Sequence, residues 1–179
     1  QKLLHRLKAD GDLPHVSDQL GVLTRTNSES ILGAIAPRST TDFTHGVAIT
    51  SSFHPDADTH VEPCRYGRGS NAMALLQTVL TDGDGPGARW RTWMIELWKQ
   101  RTHLLGMYDL KHWSERAVIA LVMQTLDNSI TTSGKRTPFG YRLTSRQGHG
   151  APNPTYIPVA NDVVRRMARR IDGFAGGSI

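Results

Sequence analysis

Apolar residues recur at helical spacing in several stretches of the chain. Leu3, Leu4 and Leu7 share one face of residues 1–9, with Gly11 following as a C-terminal stop. Between 88 and 105, Trp90, Trp93, Met94, Leu97 and Trp98 form the clearest stripe, a face that calls for a covering partner. A third stripe, Ala160, Val163, Val164, Met167 and Ile171, opens near Pro158 and closes at Gly173. Met73, Leu76 and Val79 or Leu80 predict a further helix over 70–81, capped by Ser70 and stopped by Gly83.

Other runs follow the strand pattern. Ile31–Ile35, Val47–Phe53 and His60–Cys64 are short and strand-like. Ala117–Met123 is continuously apolar, as in a strand buried on both faces, and residues 139–144 are its expected partner, connected through 134–140. Residues 82–87 read as a loop and 175–178 as a flexible tail. Strands and helices do not alternate regularly, which predicts an α+β fold: a mixed, mainly antiparallel sheet with flanking helices.

Composition narrows the class. At 179 residues, 38% hydrophobic and 21% charged, the chain is large and apolar enough to bury a core. Twenty-one basic against 16 acidic side chains give a net charge of +5. Part of the excess lies in Arg165, Arg166, Arg169 and Arg170, on the polar face of the last helix, where a solvated face explains them better than nucleic-acid binding. The single cysteine, Cys64, excludes an internal disulfide and leaves the compartment open between the cytoplasm and the periphery of the cell envelope. No apolar run is long enough to span a bilayer.

The residues with most chemical potential are His60, Glu62 and Cys64, which alternate along one predicted strand and so project from one face. A metal site would need a fourth ligand that cannot be identified, so no metal is expected. Glu62 in an apolar setting would instead suit proton transfer, while a plain ion pair with Arg65 or Arg68 is the bland reading. Gly67-Arg68-Gly69-Ser70-Asn71 has the composition of an anion nest, but with no further glycine spacing or lysine in the loop a turn followed by a helix cap is the better reading. There is no nucleophile elbow and no dinucleotide-binding glycine motif.

Several ordered segments resemble one known family. They are Gln1-Lys2-Leu3-Leu4-His5-Arg6 followed by Leu23-Thr24-Arg25-Thr26-Asn27-Ser28-Glu29, Val61-Glu62-Pro63-Cys64-Arg65-Tyr66 running into Gly69-Ser70-Asn71-Ala72-Met73, and Gln124-Thr125-Leu126-Asp127-Asn128-Ser129. Gln147-Gly148-His149-Gly150, Asn153-Pro154 and Ile157-Pro158-Val159-Ala160-Asn161 complete the set. The chain resembles the sterol-oxidising branch of the glucose–methanol–choline (GMC) oxidoreductases over nearly its whole length.

The resemblance implies the substrate-binding part of an FAD-dependent alcohol oxidoreductase. Its substrate would be a sterol or other hydrophobic alcohol and its electron acceptor molecular oxygen. Residues 1–13 would end the flavin-domain segment, and 14–179 would be the substrate-binding domain, stopping short of the family's catalytic histidine and asparagine. FAD would be held mainly by parts of the parent enzyme absent here, so this chain alone should neither retain FAD nor oxidise sterols. Glu62 matches the glutamate that moves a proton during double-bond isomerisation, and Met73, Met94, Trp98 and Met123 are candidates for the pocket wall. A free-standing lipid-binding domain and a basic nucleic-acid-binding module are the competing readings.

Overall fold

The computed structural model describes residues 1–26, 28–83 and 87–178. The loop expected over 82–87 lies partly outside them, as does Asn27. The chain forms two compact units: Gln1–Ser28 with Leu126–Pro154, and Glu29–Thr125 with the residues from Thr155 onward. The expected α+β class is observed, with a five-stranded sheet, a separate two-stranded sheet and several helices.

The smaller unit joins helix α1 (Lys2–Asp10) to the hairpin of β5 (Asn128–Thr137) and β6 (Gly140–Gly150). Gly11 ends α1 with φ 83°, in the left-handed region that only glycine adopts freely. The hairpin differs from the expectation. Residues 140–144 pair with β5 and not with the 117–123 strand, and 134–137 belong to β5, so the connection shrinks to Pro138 and Phe139 between the paired Thr137 and Gly140. Thr and Ser dominate the start of β5, so its apolar signal was too weak to read, although β-branched threonines suit a strand. Gly134 leaves room for the Tyr141 ring, which a Cβ there would meet at 2.3 Å and push aside.

The larger unit is built on a sheet of order β2-β4-β1-β7-β3. Its strands are β1 (Ser28–Ile35), β2 (Thr59–Cys64), β3 (Gln77–Val79), β4 (Ala117–Gln124) and β7 (Phe174–Ser178). One face packs Val61, Ala120 and Val122 against Ala160 and Val164 of helix α5 (Pro158–Arg170). On the other, Ile35, Val79, Met107, Trp113 and Ile119 form a second apolar cluster. Met107 and Trp113 come from the short helices α3 (Leu104–Met107) and α4 (Trp113–Arg116).

Four expectations are corrected here. The helix over 70–81 is a 3-10 helix at Asn71–Leu76 followed by β3, because the backbone of 77–79 is taken up by β7. The 175–178 tail is strand β7, paired on both sides with β1 and β3. Its glycines make room: a Cβ on Gly176 would lie 2.2 Å from Nε2 of the buried Gln77, whose Oε1 accepts the Trp113 indole N–H at 2.8 Å. Helix α2 covers only Arg89–Lys99. Residues 47–53 make isolated bridges at Ile49 and Phe53 and no continuous strand. Val61 exchanges two hydrogen bonds with Phe53, but Pro63, two residues on, has no N–H to continue that outer ladder.

Candidate functional site

Strand β2 carries the chemistry because its register against β4 is fixed from Thr59↔Gln124 to Cys64↔Ile119. Thr59 and Val61 are sealed under one face, so the two-residue alternation turns His60, Glu62 and Cys64 to the other. His60 Nε2 and Glu62 Oε1 are 3.0 Å apart. The two side chains keep 32% and 26% of their surface exposed, open enough for a ligand to reach. The rings of His60 and His54 stack with centroids 5.6 Å apart. Leu121 stands opposite Glu62, and Met123 opposite His60. The result is an acid–base pair bordered by apolar side chains.

The alternative partners proposed for Glu62 are engaged elsewhere. Arg65 Nη1 donates to the carbonyl of His45, and Arg68 Nη2 donates to the Asp42 carboxylate, which also accepts from Thr44. The Thr44 hydrogen bonds, aided by Arg68, hold Asp42 well below the usual carboxylate range. Burial pushes the Cys64 thiol up, favouring the protonated form. Among the described residues, no group of three His, Cys, Asp or Glu side chains could hold a metal ion.

The apolar candidates are dispersed. Met123 lies across from His60 on β4. Met73 packs against the second core cluster and borders a small cavity of about 110 Å³ with Tyr66 and Trp113. Met94 and Trp98 are exposed on α2, whose inward positions are Trp93 and Leu97. Arg101 covers the Trp98 ring at 4.8 Å.

A larger cleft, missed in the sequence, has a volume of about 890 Å³ and is bordered by Ile31, Leu80, Trp90, Trp93, Tyr108 and Tyr156. Several polar tips around it are tied down. Trp93 donates to Thr78 at 2.7 Å, Tyr108 to the Gln77 carbonyl at 2.9 Å, and Arg89 to the Thr155 carbonyl at 2.8 Å. This leaves a wall rich in aromatic and aliphatic surface, of the size that takes small apolar ligands. Spacing placed Trp90 and Trp93 on one helix, but it could not bring Tyr108 and Tyr156 to them.

Fold and site together define an α+β unit with a histidine–glutamate pair on one face of its sheet and an apolar cleft. Across 185 aligned residues the chain is 56% identical to cholesterol oxidases from two strains of Mycobacterium tuberculosis, covering 99% of this chain and 32% of theirs. It is 41% identical to a cholesterol oxidase from Acinetobacter baumannii over 179 residues, covering 97% of this chain and 31% of that protein. The chain is similar to cholesterol oxidases along nearly its whole length and spans about a third of the length of the curated relatives it matches. No family model and no solved structure matches it.

Proposed function

We propose that this chain is the substrate-binding part of an FAD-dependent alcohol oxidoreductase of the GMC type, oxidising a sterol with molecular oxygen as electron acceptor. The similarity to cholesterol oxidases over 97–99% of the chain carries the reading. The proposed division of labour puts substrate binding here and the flavin elsewhere. Neither the glycine-rich turn before the 3-10 helix nor the start of α5 makes a dinucleotide cradle. In the glycine-rich turn before the 3-10 helix, the amides of Gly69 and Ser70 donate to Ser114 Oγ and the Gly67 carbonyl, and α5 opens on a proline.

Glu62 is the proposed proton carrier in the isomerisation of the unconjugated ketone. The carboxylate removes the proton from the carbon between carbonyl and double bond. The electron pair spreads into a dienolate, and the same proton returns to the far alkene carbon. Its half-exposed place on an apolar-bordered sheet face supports the role. Met73 and Met123, on the same side of the sheet as Glu62, are proposed as pocket wall.

The test is Glu62→Gln in the full-length protein that contains these residues. A 5-en-3-one steroid supplied directly bypasses alcohol oxidation, and the conjugated enone is followed by ultraviolet absorbance. Glutamine keeps the shape but cannot carry the proton, so the rate should fall roughly 10²–10⁴-fold. An unchanged rate would reduce Glu62 to a structural carboxylate.

A further inference from the structure

We infer that His60 is the positioning residue for Glu62: its Nε2–H anchors one carboxylate oxygen and leaves the other directed to the substrate. The inference rests on the proton-carrier reading of Glu62 given above.

A glutamate on a sheet face has three rotatable side-chain bonds, and a proton carrier must be held within a few tenths of an ångström of the reacting carbon. Something must fix it. Burial does not, since a quarter of the side chain is exposed, and the nearby arginines do not, since both bond to residues of the 42–45 segment. His60 does: two residues away on the same strand face, its Nε2 lies 3.0 Å from Oε1. The described contacts give Oε2 no protein partner, so the carboxylate is held at one end and free at the other.

His60 is itself held. The His54 ring stacks on it at an interplanar angle of 29°, and β4 places Met123 directly across. Its backbone belongs to the continuous β2–β4 register, with Thr59 and Val61 on either side fully buried on the far face. The imidazole therefore stands on a fixed backbone and is restrained from one side by a ring. A carboxylate accepts from this nitrogen only if the Nε2–H tautomer or the doubly protonated ring is present.

The experiment uses the full-length protein and the 5-en-3-one substrate. His60→Leu removes the donor, while His60→Gln offers an amide N–H at similar reach. We expect His60→Leu to lower the kcat of isomerisation roughly 10- to 100-fold, with KM within about threefold, and His60→Gln to recover most of the loss. The His60→Leu/Glu62→Gln double variant should be no slower than Glu62→Gln alone, since a positioning residue has nothing left to position. Thermal unfolding of each variant shows that the fold is kept, and a stability loss shared equally by His60→Leu and His60→Gln would not produce the rescue. If Glu62→Gln slows the reaction but His60→Leu does not, or if the two losses multiply, the positioning role is overturned while the Glu62 reading survives. If Glu62→Gln itself has no effect, both fall.

Discussion

In the unit built on the five-stranded sheet, apolar side chains such as Ile35, Val61 and Val164 are sealed from water. In the hairpin unit, the described buried residues are Gly21, Asn128, Ser129 and Thr132. The first unit draws its stability from two apolar clusters, one on each face of a sheet. The second is closed by the β5–β6 ladder and by polar contacts: Gln1 with Thr24 and Thr132, Arg136 with Asp10, and Arg25 with Asp127. Two of its three helical leucines, Leu3 and Leu4, stay in water, with Leu3 63% exposed. A two-stranded hairpin without a sealed apolar face is marginal by itself. The difference teaches where a site can be held firmly: the His60–Glu62 pair sits on the unit with the core.

The same kind of truncation in each unit gives the sharpest contrast. Ile35→Ala should destabilise the full-length protein by about 2–5 kcal/mol, because a fully buried side chain leaves a cavity between packed elements. Leu3→Ala should stay within about 0.5 kcal/mol. Urea unfolding compares the two, and equal losses would break the distinction.

A smaller effect is expected from Gly176→Ala on β7. Its Cβ would displace the Gln77 amide and strain the Gln77–Trp113 bond, costing roughly 1–3 kcal/mol. Near-ultraviolet circular dichroism of the tryptophans should change with it, and an unchanged spectrum and stability would show that β7 is less constrained than its pairing implies.

A weaker effect belongs to Asp82, whose half-exposed carboxylate bonds the buried Asn161 and the half-exposed Arg165. Burial pushes Asp82 up, but hydrogen bonds from Asn161 and Arg165 at 2.7 and 2.6 Å outweigh it and hold the carboxyl below its ordinary value. A carboxyl depressed in the folded state stabilises the protein above its unfolded-state pKa, near 4, and that contribution is lost as pH falls through the lower folded value. Solvent screening limits it to about 0.5–1 kcal/mol. Asp82→Asn should therefore be less stable than the wild type at pH 7 and approach it below pH 4. A gap that persists undiminished in acid would assign the loss to packing.

Much of this was legible in the residues. The α5 stripe, the β4 run, the 60–64 strand and the α+β class could be read because hydrophobic periodicity reports which face of an element meets a core. The alternation of His60, Glu62 and Cys64 likewise puts them on one face. Periodicity failed where partners decide the backbone. Residues 77–79 carry the tail of a helical stripe, yet β7 draws them into a strand, and the glycines of β7 look like a tail because their function is to leave space for Gln77. The threonine-rich start of β5 gave no apolar signal, so its pairing with 140–150 was assigned to the wrong partner.

The sequence alone determined the class of fold, the shared face of His60 and Glu62, and the likeness to sterol oxidases, since these depend on local order and residue identity. Only the tertiary structure decided that Glu62 bonds His60 and neither Arg65 nor Arg68, that Met94 and Trp98 face water while Trp93 faces the core, and that Tyr108 and Tyr156 meet Trp90 and Trp93 around one cleft. Those contacts join residues far apart in the chain or choose among several neighbours. Packing and hydrogen-bond geometry make that choice, and spacing does not encode it.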